Sequence, residues 1–143
     1  MAKMIIDGSN TIMGKLASYV ATRVLQGERV SIVNCEKVVI SGDPKQILKD
    51  FKRKIEKGTT KRGPFIPKNP AGLMRRAVRG MLPYKKERGR KAYSLVKCYV
   101  GIPKEFEGKQ ISTLEEFNAK RLKTDYITLG KLCRQVGGYS GGG

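Results

Sequence analysis

Apolar residues recur along this chain with two different periods. Met4-Ile5-Ile6-Asp7 is a short apolar run ending at Gly8, the mark of a buried strand. Leu16, Val20 and Val24 follow at four-residue spacing, with Ala17 and Ala21 beside them, and predict a packed helix closed by Gly27. Val30-Ser31-Ile32-Val33-Asn34 alternates as a strand, Val38-Val39-Ile40 is an apolar run stopped by Ser41-Gly42, and Val96-Lys97-Cys98-Tyr99-Val100 precedes Gly101. Near the end, Tyr126-Ile127 leads into Thr128, a suitable N-cap for a short helix running to Gly137-Gly138. About four short strands separated by helices predict an α/β domain, a mainly parallel sheet with helices on its faces, over residues 1–138. Residues 139–143 read as a flexible glycine-rich tail.

The middle of the chain keeps the helical period but changes its polar face. Asp43-Pro44 is a helix start, Asp as N-cap and Pro in the first turn. The helix that follows puts Ile47, Leu48, Phe51 and Ile55 on one side and Lys45, Lys49, Lys52 and Arg53 on the other. A loop containing Gly58, Lys61, Arg62, Gly63, Pro64, Phe65, Pro67 and Lys68 breaks the pattern. Asn69-Pro70 then restarts a helix in which Met74, Ala77, Val78 and Met81 form the apolar stripe and Arg75, Arg76 and Arg79 the opposite face. Pro83 stops it, and the stretch from Tyr84 through Lys85, Lys86, Arg88 and Arg90 to Lys91 continues the basic surface. The result is a basic helix-loop-helix extension of the α/β core.

Charge gives that extension its meaning. The 143 residues hold 30 Lys and Arg against 12 Asp and Glu, a net of +18. Residues 45–91 carry 17 of the basic side chains against three acids, so one third of the chain holds a net +14. A merely solvated face mixes both signs, whereas a one-signed field points to a polyanionic partner. Arginine suits phosphate because its planar fork offers two parallel hydrogen bonds. Phe65 and Tyr84 lie among these charges, where they either stack on unpaired bases or pack against the core.

Other chemistries are poorly served. With no histidine in the chain, imidazole acid-base work, Ser-His and Cys-His nucleophile pairs and histidine metal sites are excluded. Cys35, Cys98 and Cys133 are far apart in sequence and include no CxxC pair, which fits a reducing compartment better than a disulfide or zinc framework. The N-terminus meets Asp7 before a signal core could develop, and no apolar run reaches the ~20 residues of a membrane span, so a cytosolic location is expected. Basic amphipathic helices also bind anionic lipid, but packing on the sheet explains the apolar faces here, and the chain has no Trp.

One stretch imitates a nucleotide-binding loop. The first expected strand is followed by Gly8-Ser9-Asn10-Thr11-Ile12-Met13-Gly14-Lys15 and a helix. Five residues separate the two glycines where the phosphate loop has four, and Leu16 stands where a hydroxyl must reach magnesium. A strand-to-helix turn, with glycine supplying an unusual backbone angle, is the expected alternative to a nucleotide hydrolase.

A longer pattern carries a resemblance. Val78-Arg79-Gly80-Met81-Leu82-Pro83, then Gly89-Arg90, then Val96-Lys97-Cys98-Tyr99-Val100-Gly101 is similar to the signature of the thirteenth ribosomal protein of the large subunit, a universal family. Asn34-Cys35-Glu36-Lys37-Val38-Val39-Ile40-Ser41-Gly42 and Gly14-Lys15-Leu16-Ala17-Ser18 match earlier segments of that family, so the similarity runs from about Ile5 to Gly138. Cys98 replaces the family's usual aliphatic residue, a conservative change at a buried strand position. The chain as given lacks the long C-terminal extension of eukaryotic members. It also has Lys61-Arg62-Gly63-Pro64-Phe65 in place of the bacterial Tyr-Pro-Gly-Gly-type loop, and so resembles archaeal members.

The resemblance implies a three-layer α/β/α fold around a small parallel sheet and a protein that binds large-subunit ribosomal RNA, beside neighbouring ribosomal proteins, and supports subunit assembly. It implies no catalysis, cofactor, metal or small-molecule substrate. A regulatory role on RNA outside the ribosome is the alternative. The basic surface over residues 52–91 becomes the expected RNA contact, with Arg75, Arg76, Arg79 and Arg90 foremost. Lys52, Arg53, Lys57, Lys61, Arg62 and Lys68 are expected on its first half, and Tyr84, Lys85, Lys86, Arg88 and Lys91 on its second.

Overall fold

The computed structural model describes residues 3–58 and 69–136. In chain order its elements are β1 (Lys3–Asp7), α1 (Met13–Leu25), β2 (Arg29–Val33), β3 (Val39–Ser41), α2 (Pro44–Gly58) and α3 (Pro70–Gly80). There follow α4 (Glu87–Ser94), β4 (Val96–Cys98), β5 (Ser112–Thr113), β6 (Tyr126–Thr128) and α5 (Leu129–Gln135), with single 3-10 turns between several of them.

The alternation of β1 and β2 builds the centre. Four parallel strands lie in the order β4-β2-β1-β5, with Ile6 beside Ile32 and Val30 beside Val96. Because side chains alternate, Ile6, Val30, Ile32 and Val96 share one face, and Ile5, Ser31 and Val33 the other. Leu16, Val20 and Val24 of α1, Met74 and Val78 of α3 and Ala92 of α4 pack on the first face. Phe106, from the 3-10 turn Lys104–Phe106, packs on Ile5 and Val33 of the second. Helical segments therefore flank a mainly parallel four-stranded sheet, consistent with a three-layer α/β/α fold.

Three local differences from the sequence pattern have physical causes. The run at residues 38–40 does not join the central sheet; β3 pairs antiparallel with β6 in a separate two-stranded sheet. The chain leaves the central sheet because Asn34 takes a left-handed conformation (φ 57°) and a 3-10 turn follows at Cys35–Lys37. β5 and β6, of two and three residues, are too short for an alternating pattern to show. Finally, α3 ends at Gly80, three residues before Pro83, so Met81 is half exposed and Leu82 is the residue that returns to the core. The basic stretch beyond contains the separate helix α4.

The helix starts match their sequence signals. The Asn69 side chain accepts from Gly72 N–H (2.6 Å), Thr128 Oγ1 from Lys131 N–H (3.2 Å), and Asp43 Oδ1 from Lys45 N–H (3.1 Å). Phe51 of α2 packs with Ile127 and Leu132, tying α2 to the β6-α5 corner.

The spacing between Pro83 and Gly89 also has a steric reason. Gly89 is buried in the first turn of α4, and a Cβ placed there would fall onto the Pro83 carbonyl group and within 2.7 Å of Tyr84 N. Gly80, at the end of α3, has nothing within 4 Å of the same position. Gly89→Ala is therefore expected to cost about 1–3 kcal/mol or more through overpacking, whereas Gly80→Ala should be neutral or stabilising by up to about 1 kcal/mol. Urea melts of the two variants check this; wild-type stability in Gly89→Ala would disprove the close approach of α4 to the Pro83 turn.

Candidate nucleic-acid interface

The turn between β1 and α1 turns its own amides inward. Gly8 N–H donates to Val33 O (2.9 Å), Ser9 N–H to Asp7 Oδ1 (2.9 Å), and Asn10 N–H to Lys37 O (2.9 Å). Thr11 N–H donates to Gly8 O (3.1 Å) and Ile12 N–H to Phe117 O (2.9 Å). Five successive amides thus have partners inside the protein, where an anion-binding loop would point them at its ligand. Lys15 is exposed and Leu16 fully buried. The unusual backbone angle belongs to Asn10 (φ 57°) rather than to Gly8. Gly8 is needed for its size, since a Cβ there would lie 2.7 Å from Val38 Cγ2.

Asp7 organises this turn. Its Oδ1 also accepts from Asn34 Nδ2 (3.1 Å), joining the ends of β1 and β2. Burial opposes its ionisation, but the bonds from Ser9 and Asn34, with the charge of Lys37, outweigh it and hold the carboxyl below its ordinary value of 3.8. The cysteines are not a site of this kind. Cys98 is half-buried rather than enclosed, and it meets Cys35 across the fold despite their separation in sequence. The neighbouring Cys98 thiol, and then burial, push the Cys35 thiol, which donates to Ile32 O (3.5 Å), well above the usual thiol range; burial pushes Cys133 up to about 12.

The basic helices show where their charges stand. Lys45, Lys49, Lys52, Arg53 and Lys54 are exposed on α2, while Phe51 faces inward. Arg53 lies 3.8 Å from Asp50, an exposed pair worth little. The Lys57 side chain, Lys61, Arg62, Phe65, Lys68, the Ile55 side chain and the tail at 139–143 lie outside the described residues. An apolar cavity of about 470 Å³ between α2, α3 and α5 has Asp50, Lys54 and Arg76 as its charged lining.

The three α3 arginines are not equivalent. Arg75 turns inward: its Nε donates to Val96 O (3.2 Å), its Nη2 to Tyr93 O (3.4 Å), and its guanidinium lies 4.0 Å from the Tyr93 ring centroid. It fastens α3 to the junction of α4 and β4. Its acceptors lie 18 and 21 residues further on, so no local pattern could have separated it from Arg76 and Arg79. Arg76 is half-buried. Arg79 lies 4.8 Å over the ring of Tyr84, which is 40% exposed. Tyr84 thus neither enters the core nor leaves both ring faces open. Lys85, Lys86, Arg88, Arg90 and Lys91 are exposed beside it. Arg90 Nη1 donates to Lys85 O (3.0 Å), bracing the turn, and Lys91 pairs with Glu87 (3.4 Å) in full solvent.

Known proteins resemble this chain over most of its length. The sequence profile of the family described as Ribosomal protein L13 matches residues 2–105. The large ribosomal subunit protein uL13 of Archaeoglobus fulgidus is 40% identical over 93% of this chain and 86% of its own. That of Aeropyrum pernix is 42% identical over 94% of this chain and 90% of its own. The Methanosarcina barkeri protein of the same name is 42% identical over 93% and 96%.

Two outcomes follow from the geometry. Arg75→Gln removes the fork that spans Val96 O and Tyr93 O, and should cost about 1–3 kcal/mol in chemical denaturation, the range of charge-assisted hydrogen bonds, while Arg79→Gln stays within about 0.5 kcal/mol. Equal stabilities would show that Arg75 does not fasten the helix. For Asp7 the lowered pKa means its ionised form stabilises the fold at pH values above 3.8 and that this contribution is lost as pH falls through the lowered pKa. The stability gap between wild type and Asp7→Asn should therefore be full at neutral pH and close in acid; a gap independent of pH would contradict it.

Proposed function

This chain belongs to the ribosomal protein L13 family in its archaeal form and is a structural component of the large ribosomal subunit; we propose that the basic outer surface of α2, α3 and α4 holds it there by binding large-subunit ribosomal RNA. Ribosomal RNA and neighbouring ribosomal proteins are its partners. The observation that carries the RNA reading is the excess of basic residues over 45–91, whose cations at Lys45, Lys49, Lys52, Arg53, Lys54, Lys85, Lys86, Arg88, Arg90 and Lys91 are exposed.

The proposed contacts are Lys52, Arg53, Arg76, Arg79, Tyr84, Lys85, Lys86, Arg88, Arg90 and Lys91, together with Lys57, Lys61, Arg62 and Lys68. Arg75 serves the fold and supports the others by holding α3 in place. Each ammonium or guanidinium that meets a phosphate releases condensed counterions, which supplies much of the affinity. The deep major groove of A-form RNA is closed to side chains, so RNA shape should matter more than base sequence. The Arg79–Tyr84 stack presents a cation with a flat face, able to lie against phosphate or an unpaired base. We infer no catalytic role: the loop that resembles a nucleotide site uses the amides of Gly8 to Ile12 to turn the chain and has Leu16 where a magnesium-reaching hydroxyl would stand.

Replacing Arg79, Lys85 and Arg88 together by glutamine tests this reading. These side chains stand outside the core, so melting should change little. The slope of log K against log[salt] for ribosomal RNA should become shallower by about one unit for each phosphate that the variant no longer engages. An unchanged slope would remove this surface from the RNA interface.

A further inference from the structure

The sheet carries a second basic surface, built from residues far from the basic third of the sequence. The parallel register sets Lys3 beside Arg29, Ile5 beside Ser31, and Ser31 beside Lys97. All therefore share the face opposite α1, α3 and α4. Lys3, Arg29 and Lys97 are exposed. The Lys3 ammonium lies 5.0 Å and that of Lys109 5.9 Å from the centroid of the Phe106 ring. Four cations from three strands and a loop thus border one sheet face.

Among the described residues, neither Arg29 nor Lys97 has a carboxylate within ion-pair distance. Glu28, next to Arg29 in sequence, pairs with Arg23 on the α1 side (3.4 Å). Asp7 shares the face but is engaged by Ser9 N–H and Asn34. Glu105 lies toward Tyr99, whose hydroxyl it raises after burial has done so more strongly. Glu107 is exposed beyond Phe106. Like charges set opposite one another on neighbouring strands cost stability when the protein is alone, so a pairing such as Lys3 with Arg29 fits a surface completed by a polyanion.

We propose that this sheet face binds a second stretch of ribosomal RNA backbone, so that the protein lies between two RNA segments, one on its helix side and one on its sheet side. The inference rests on the RNA-binding reading given above. The face is suited to phosphate and not to base stacking, because Phe106 is 1% exposed and Tyr99 half-buried against it. Binding there should therefore be insensitive to base identity.

The test compares two variants of the full chain with equal charge loss: K3Q/R29Q/K97Q on the sheet face, and K120Q/K123Q/K131Q at exposed positions elsewhere. Binding to large-subunit ribosomal RNA is measured across a salt series, with melts to verify folding. The sheet-face variant should lose about two to three units of salt slope and the control variant markedly less. Should the triple variant not fold, Lys97→Gln alone, on an edge strand, should lose about one unit. Equal behaviour of the sheet-face and control variants would overturn the inference and leave the helix-face reading standing on its own variant. Unchanged RNA binding with weakened retention in the subunit would also overturn it, by assigning the face to an acidic protein segment. Loss of effect at both faces would instead defeat the RNA reading itself.

Discussion

The packed layer between the sheet and three helices holds everything else in place. Ile6, Val30, Ile32 and Val96 form a continuous apolar column, and α1, α3 and α4 stand on it through Leu16, Val20, Val24, Met74, Val78 and Ala92. A buried aliphatic side chain contributes about 1.5–3 kcal/mol. The net charge of +18 works against compaction, screened beyond about 8–10 Å at ordinary salt. The fold reconciles the two by giving α3 an inner face of Met74 and Val78 and an outer face of cations. Arg75 is the exception that secures the arrangement, spending its guanidinium on carbonyls where α4 meets β4.

Close backbone approach is the second constraint, and it explains the short motifs. Gly89 has no room for a methyl group against Pro83, so α4 can return beneath the turn only with glycine at that position. Gly8 is pressed against Val38, and Asn34 bends the chain out of the central sheet while its amide reaches Asp7. Glu36, nearly buried, accepts from Gly101 N–H (3.1 Å) and so joins this bend to the end of β4. The family signature is in this sense a set of steric requirements, with residues distant in sequence fitting one another's backbones.

What the sequence made legible follows from the range of each interaction. The elements β1, α1, β2 and β4 and the starts of α2, α3 and α5 depend on local periodicity and capping, and they lie close to where the pattern puts them. The pairing of β3 with β6 depends on a bend at Asn34 and a strand more than eighty residues on, which no local pattern encodes. Met81 illustrates the limit of the helical period: it continues the stripe of α3 in sequence, but the helix has already ended. The charge of the basic third was plain, but the inward turn of Arg75 was hidden because its partners are nonlocal. Lys3, Arg29 and Lys97 were hidden for the same reason, since only strand register brings them together.

The turn after β1 shows why motif spacing alone does not decide function. Binding a phosphate in a glycine loop requires amide donors with no other acceptor. Here the donors from Gly8 to Ile12 go to Val33, Asp7, Lys37, Gly8 and Phe117, so the loop is a structural knot joining β1, β2 and the 3-10 turn Glu115–Phe117. The exposed cations instead stand on long side chains of the helices. That placement suits a polymer better than a nucleotide. A rigid amide cradle fits one phosphate group of fixed shape, whereas lysines and arginines on stiff, well-packed helices follow a backbone that winds past them while the scaffold keeps their spacing.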